Sequence, residues 1–250
     1  MKTSIHIENK LISKPSRLGF KYHIKTFGCQ MNEHDSEKIA GIFNSDGMSK
    51  SEDIDQADIL FVNTCTIREN ADDKLYGTLG HLKKWKEQSS DRRLIVGGCA
   101  AQKDKELVRD RAPWVDVVIG THNTNDVINL LNQSEDWGPI TKIVEETLDI
   151  ETEILPVRES GFSAFVTIQI GCNNSCTFCI VPSVRGVEIS RRPSDIINEI
   201  KNLSNEGVKE ITLLGQNVNS YGRDLMIDNK RSPYFTQLLY KIHEIDGIER

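Results

Sequence analysis

Three of the six cysteines, Cys172, Cys176 and Cys179, lie in one short loop with the spacing C-x3-C-x2-C. The loop follows an apolar-rich run over residues 164–170 that reads as a strand. A loop this tight can turn three thiolates toward one point. Three thiolates hold three irons of a four-iron cluster and leave the fourth iron without a protein ligand. A closed structural zinc site wants four ligands, and no histidine or fourth cysteine lies nearby. An electron-transfer ferredoxin site also uses four cysteines per cluster. The missing ligand is the informative part, because it leaves one iron open to a substrate. The competing reading is a zinc knuckle completed from elsewhere in the chain.

The other three cysteines, Cys29, Cys65 and Cys99, are far apart in sequence, and the elements around them explain why they belong together. Residues 22–27 alternate as a strand ending at Gly28-Cys29, and a helix is expected over 32–42. Residues 57–63 read as a buried strand ending at Thr64-Cys65, with a helix from about 68 to 86. A third strand over 93–98 ends at Cys99 and is followed by a helix over about 104–110. A fourth strand over 115–120 precedes a helix over about 124–131. Strands alternating with helices predict an α/β fold, here a doubly wound parallel-sheet domain. In such a sheet the carboxyl ends of the strands share one edge, where ligands bind. Each of the three cysteines sits at such an end. A second metal site is therefore expected, against the plainer reading of three unrelated buried thiols. Gly28, Gly97 and Gly98 let the backbone approach a bulky ligand closely.

The first domain is expected to span residues 21–139, after a flexible tail over 1–20, and to close at Trp137-Gly138-Pro139. Residues 140–163 read as a linker. A second domain, 164–250, opens with the strand before Cys172. In it Ser194 is the expected N-cap of a helix with Asp195 in its first turn, and Gly207 its expected end. A strand over 208–214 and a helix from Ser232-Pro233 follow. The second domain thus reads as a β/α series cut off after two full units.

Composition sets limits on partners. The 250 residues are 38% hydrophobic and 27% charged, with a net charge of −6. No apolar run approaches a membrane span, and residues 1–20 lack the hydrophobic core of a signal peptide. Cysteines not paired in short loops suit metal ligation in a reducing compartment, so a cytoplasmic location is expected. The negative charge argues against a broad basic nucleic-acid surface, so any RNA contact is local or lies elsewhere. No membrane or DNA partner is expected.

The C-x3-C-x2-C string with Phe178 before its last cysteine resembles the signature of the radical S-adenosylmethionine (radical SAM) superfamily. The residues Ile180 to Gly186, with Glu188 and Ser190-Arg191, narrow the resemblance to the methylthiotransferase family. So do Thr26 to Asn32 with Asp35-Ser36-Glu37, Asn63-Thr64-Cys65 with Ile67-Arg68, and Gly97-Gly98-Cys99. The string Leu214 to Gly222 is similar to the MiaB-type branch, which methylthiolates carbon 2 of N6-dimethylallyladenosine beside the tRNA anticodon. The resemblance implies a radical SAM β/α barrel begun in the second domain. It implies two 4Fe–4S clusters, with Cys172, Cys176 and Cys179 binding the radical cluster and Cys29, Cys65 and Cys99 an auxiliary one. It further implies S-adenosylmethionine as cofactor, a tRNA carrying dimethylallyl-modified adenosine as partner, and a reducing electron donor. Chains of this family continue through the rest of the barrel and a C-terminal RNA-binding domain, so this chain is expected to be an N-terminal fragment that does not modify tRNA by itself.

Other residues carry narrower expectations. Phe178, Gln216 and Asn217 are expected at the S-adenosylmethionine site, the last two because barrel sites form at carboxyl ends of strands. Arg185, Arg191 and Arg192 meet a carboxylate or phosphate, or lie on a solvated loop. Tyr221 stacks on a base or packs in the core. His23, His34, His81 and His122 lack ligand spacing. Rival functions are methylthiolation of another tRNA adenosine or of a ribosomal protein aspartate, and a non-catalytic iron–sulfur electron carrier or scaffold.

Overall fold

The computed structural model describes residues 16–66, 70–145, 156–158, 160–226 and 231–250. Of the expected tail only residues from 16 onward are described, and Ile67, Arg68 and all of 146–155 lie outside the described residues.

The first sheet holds β1 (Lys21–Thr26), β2 (Ser49–Lys50), β3 (Ile59–Thr64), β4 (Arg93–Gly98), β5 (Val117–Ile119) and β6 (Ile140–Lys142). Their order is β2-β1-β3-β4-β5-β6, and every neighbouring pair is parallel. Its helices are α1 (Gln30–Ser45), α2 (Ala71–Glu87), α3 (Cys99–Asp104), α4 (Leu107–Arg111) and α5 (Val127–Trp137). A parallel sheet is covered on both faces, so its strands read as continuous apolar runs. Leu60, Val62, Leu94 and Val96 pack on Leu75, Leu79 and Trp85 of α2. Ile59, Phe61, Ile95 and Ile119 point the other way, onto Ile39 and Phe43 of α1 and Leu130 of α5. The doubly wound expectation holds.

Several boundaries differ from the sequence reading. Residues 140–142, read as the start of a linker, form β6, with Ile140 beside Val117. Gly138, at φ +88°, turns the chain from α5 into that strand. The helix expected over 104–110 is two helices, α3 and α4, broken at Lys105 with φ +52°. Helix α3 begins at Cys99 itself, because Gly98 at φ +89° makes the strand-to-helix turn without a loop.

The second domain contains β7 (Ser163–Thr167), β8 (Gln169–Ile170), α6 (Val181–Arg185), β9 (Ile189–Ser190), α7 (Pro193–Asn205), β10 (Glu210–Leu214) and α8 (Phe235–His243). Strands β7 and β10 pair in parallel across α7. The single strand expected over 164–170 is divided, because β8 leaves the β7 line to pair antiparallel with β9. Ala164, Val166 and Ile168 pack on Ile196 and Ile200 of α7 and on Leu238 of α8. Ser194 does not cap α7. Pro193 occupies the first helical position, which its fixed φ suits, and the Ser194 hydroxyl donates to Asp195 instead. Helix α8 starts at Phe235 rather than at Ser232. Among the described residues no helix is long and apolar enough to cross a membrane.

The two domains meet through α1. The Thr167 hydroxyl donates to Met31 Sδ at 3.9 Å, and the His34 ring stands edge-on to Phe165 with centroids 6.4 Å apart. Burial holds the His34 pKa below the usual 6.5, against the hydrogen bond to Glu37, which raises it. The unfolded chain therefore takes up a proton that the folded chain resists. Stability is expected to be full above pH 6.5 and to fall as pH drops below it. Chemical denaturation between pH 5 and pH 8 checks this, and His34→Gln should flatten the slope.

Candidate functional site

The strand order reverses between β1 and β3, the switch point at which sheets of this kind bind ligands. Cys29 follows β1, Cys65 directly follows β3, and Cys99 directly follows β4. These three strands are neighbours, with Thr26 beside Asn63 and Thr64 beside Gly98. At about 4.8 Å per strand spacing, the three cysteines line one edge within roughly 10 Å.

Close backbone packing shapes that edge. A Cβ on Gly28 would lie 3.0 Å from Cys65 Cβ and 2.6 Å from Asn32 Oδ1. The Asn32 amide donates to Asn63 Oδ1 at 3.1 Å, and the Asn63 amide returns a bond to the Asn32 carbonyl at 2.8 Å. The Thr64 hydroxyl donates to the Gly97 carbonyl and accepts from the Ala101 N–H. Asn32, Asn63 and Thr64 are all buried, so the residues flanking Cys65 are held rigidly. Cys29 is the N-cap of α1, where the helix dipole favours an anionic group. Its thiol donates only weakly, to Asn32 Oδ1 at 3.4 Å.

The second cysteine set occupies the irregular loop between β8 and α6. Gly171 opens it at φ +73°, and the Cys172 N–H donates to the Gly186 carbonyl at 3.1 Å. Cys172 is buried, whereas Cys176 and Cys179 are exposed. The turn between them is closed by the Cys179 N–H on the Cys176 carbonyl. None of the six cysteines is in a disulfide. Among the described residues no three His, Cys, Asp or Glu side chains gather closely enough for a single metal ion. One tetrahedral zinc draws its sulfurs to within about 4 Å of one another, whereas a four-iron cluster interposes several ions between them. The donor sets fit the wider group: each offers three thiols and no fourth.

Arg185, the last residue of α6, reaches the first set from the segment that follows the second. Its Nε donates to Cys99 Sγ at 3.3 Å, and its Nη2 lies 2.7 Å from Asp35 Oδ2 on α1. Burial raises the Cys99 pKa, and the Arg185 charge works in the opposite direction. The Thr121 hydroxyl also reaches α6, donating to the Val184 carbonyl at 2.6 Å. A cleft of about 560 Å³ separates the loop from the start of α2, lined by Thr66, Asp72, Lys103, Phe178 and Cys179.

The remaining candidates divide. Gln216 follows β10, and its Oε1 is buried without a hydrogen-bond partner, as is Oε1 of Gln169 at the base of the cysteine loop. Those two unfilled acceptors suit a ligand with donor groups. Asn217 stands beside Gln216 and its carbonyl accepts from the Ser220 N–H at 3.0 Å. Phe178 is 99% exposed. Arg185 and Arg191 are not on a solvated loop: Arg191 pairs with Glu199 at 2.7 Å and donates to the Thr167 carbonyl. Arg192 is exposed. Tyr221 is fully buried and donates to the Arg191 carbonyl, so it packs and does not stack on a base. Sequence reading missed one chain of contacts: Gln169 donates to the Ser220 hydroxyl, which donates to Glu188, whose N–H donates to Asn173. Glu188 was visible only as one letter of a motif.

Residues 166–249 match the Radical SAM superfamily, and residues 21–120 match the family described as Uncharacterized protein family UPF0004. The chain thus carries a UPF0004 domain ahead of a radical SAM domain. A radical SAM chain takes a 4Fe–4S cluster and S-adenosylmethionine. A protein of Mycobacterium bovis described as tRNA-2-methylthio-N(6)-dimethylallyladenosine synthase is 48% identical over 233 residues, covering 92% of this chain and 45% of that protein. A Corynebacterium efficiens protein of the same description is 47% identical over 92% of this chain and 44% of its own length. The chain therefore spans a little under half the length of these relatives. Among solved structures, the radical S-adenosylmethionine methyltransferase TsrM from Kitasatospora setae aligns with a TM-score of 0.56 at 11% identity, over 91% of this chain and 52% of that one. That likeness is one of fold, and it agrees with a second domain that begins a radical SAM β/α barrel.

Proposed function

We propose that this chain is the cluster-bearing half of an enzyme that methylthiolates carbon 2 of N6-dimethylallyladenosine in tRNA. The observation that supports it most is that one chain carries two three-cysteine sets, one at the sheet's switch point and one in the loop before α6, and that Arg185 of α6 bonds Cys99 of the first set. The relatives' description points to the same reaction. Cys172, Cys176 and Cys179 would ligate one 4Fe–4S cluster, and Cys29, Cys65 and Cys99 a second. A cluster held by Cys172, Cys176 and Cys179 would supply one-electron reduction of S-adenosylmethionine, which would open a route to an aromatic C–H that no side-chain base can attack at neutral pH. Within the chain, Gln169 and Gln216 offer buried carbonyl oxygens to donor groups of S-adenosylmethionine beside the loop, with Asn217 next to them. Phe178, exposed at the loop, would cover the cofactor from the solvent side. The Asn32, Asn63 and Thr64 network holds Cys65 rigid, so the sulfur-delivering site keeps its place while substrate turns over. A second S-adenosylmethionine would donate the methyl group, a reductant would supply electrons, and the site of action would be cytoplasmic.

Anaerobic reconstitution tests the reading. The chain should bind about eight irons and eight sulfides, four of each per cluster. Replacing Cys172, Cys176 and Cys179 together by alanine should leave about four. A wild-type chain that takes up a single zinc, or only four irons, would contradict the two-cluster reading. In a protein carrying this sequence at the length of its relatives, the modified nucleoside should appear in tRNA by mass spectrometry.

A further inference from the structure

Arg185 is 6% exposed and belongs to the segment that follows the radical loop, yet both of its side-chain partners, Cys99 and Asp35, lie in the first domain. A buried guanidinium is costly unless its charge and its donors are used. Asp35 answers the charge. The donors are only partly used. Nε is spent on Cys99 Sγ and Nη2 on Asp35 Oδ2 at 2.7 Å, which leaves three of the five N–H groups of the fork without a partner among the described residues. Donors are thus left over on a buried group already bonded to a proposed cluster ligand. Arginine presents five donors in a rigid fork, which suits two acceptors at once. The neighbouring backbone holds the fork in place: the Thr121 hydroxyl bonds the Val184 carbonyl, and the Gly186 N–H closes on the Pro182 carbonyl.

We propose that Arg185 is a positioning residue for the auxiliary centre: it donates to the Cys99 thiolate and to a sulfur of the bound cluster, and so sets the cluster's reduction potential while fixing α6 against it. The proposal rests on the reading of Cys29, Cys65 and Cys99 as cluster ligands. Hydrogen bonds to cluster sulfurs and net positive charge nearby make reduction easier. The same side chain would make the geometry between the two centres depend on the auxiliary cluster being present, since the Asp35 contact alone leaves donors unfilled.

The test uses the chain with Cys172, Cys176 and Cys179 replaced by alanine, which isolates the auxiliary centre. Iron per chain and an EPR-monitored redox titration are measured with Arg185 intact, with Arg185→Gln and with Arg185→Lys. The expected result is about four irons in all three. The midpoint should become more negative in Arg185→Gln and lie between the other two in Arg185→Lys, which keeps the charge and loses the fork. An unchanged midpoint at full iron content would overturn the proposal. So would loss of iron from an Arg185→Gln chain that stays folded by circular dichroism, because a donor to Cys99 is not itself a ligand. If Arg185→Gln does not fold, an unchanged midpoint in Arg185→Lys overturns it equally. No iron in the parent with Arg185 intact would instead remove the ligand reading of Cys29, Cys65 and Cys99, and the proposal with it.

Discussion

Cys176→Ala, in a protein carrying this sequence at the length of its relatives, is expected to bring reductive cleavage of S-adenosylmethionine down to background, while Cys65→Ala leaves that cleavage running. The two variants should fail alike only in the final product. Cys176 lies in the loop between β8 and α6, so its loss removes one of three ligands from the radical set. Two thiolates cannot hold the cluster with a single open iron. Cys65 lies at the end of β3 in the other domain, buried among Asn63, Thr64 and Gly28. Its loss leaves the radical loop's own bonds, from Cys172 to Gly186 and from Cys179 to Cys176, in place. Under dithionite without oxygen, 5′-deoxyadenosine should therefore form at near wild-type yield in Cys65→Ala, and methylthiolated nucleoside should be absent. Both products are read in one chromatographic run. If Cys65→Ala abolished 5′-deoxyadenosine while the protein stayed folded and kept about four irons, the division of work between the two sets would be wrong.

The second large effect is expected from one methyl group. In Gly171→Ala the added Cβ would lie 1.9 Å from the Val187 carbonyl oxygen and 2.6 Å from that of Gly186, at a φ of +73°. Every atom it meets is backbone, so no flexible side chain can move aside. The chain must change its φ, or β8 and β9 must separate. Strain of this kind costs about 1–3 kcal/mol and overpacking a similar amount, so about 3–5 kcal/mol is expected against the second domain. Cys172 follows directly, and its N–H would lose the Gly186 carbonyl. Gly171→Ala should therefore lose the radical cluster while the first domain keeps its iron. Gly161→Ala is the control, because that position has open space around it and no positive φ. Urea unfolding followed with iron content distinguishes the two, and equal stability would refute the clash.

Much of the arrangement was legible in the order of residues. Apolar runs ending in cysteine placed Cys29, Cys65 and Cys99 at strand ends, and β1, β3 and β4 carry them there. That inference works because strand and helix periods are local and a parallel sheet puts all carboxyl ends on one side. The loop Cys172–Cys179 was legible for a simpler reason: its ligand spacing is itself local. Boundaries were less so. Pro193 took the first position of α7 from Ser194, and β6 claimed residues that look like linker, because pairing with β5 outweighs their weak strand pattern.

What the tertiary structure alone decided is how the segment after the radical loop meets the first domain. Sequence distance gives no warning that Arg185 reaches Cys99 and Asp35, since the contact crosses two domains and depends on α6 packing over α3. A guanidinium read from sequence is as much at home in solvent. Only burial between the domains, where an unpaired charge is costly, makes its partners definite. Likewise Gln169 lies against Gly215, next to Gln216, where β8 leaves the line of β7 to pair with β9, and Gly171 meets Gly186 across the loop that follows.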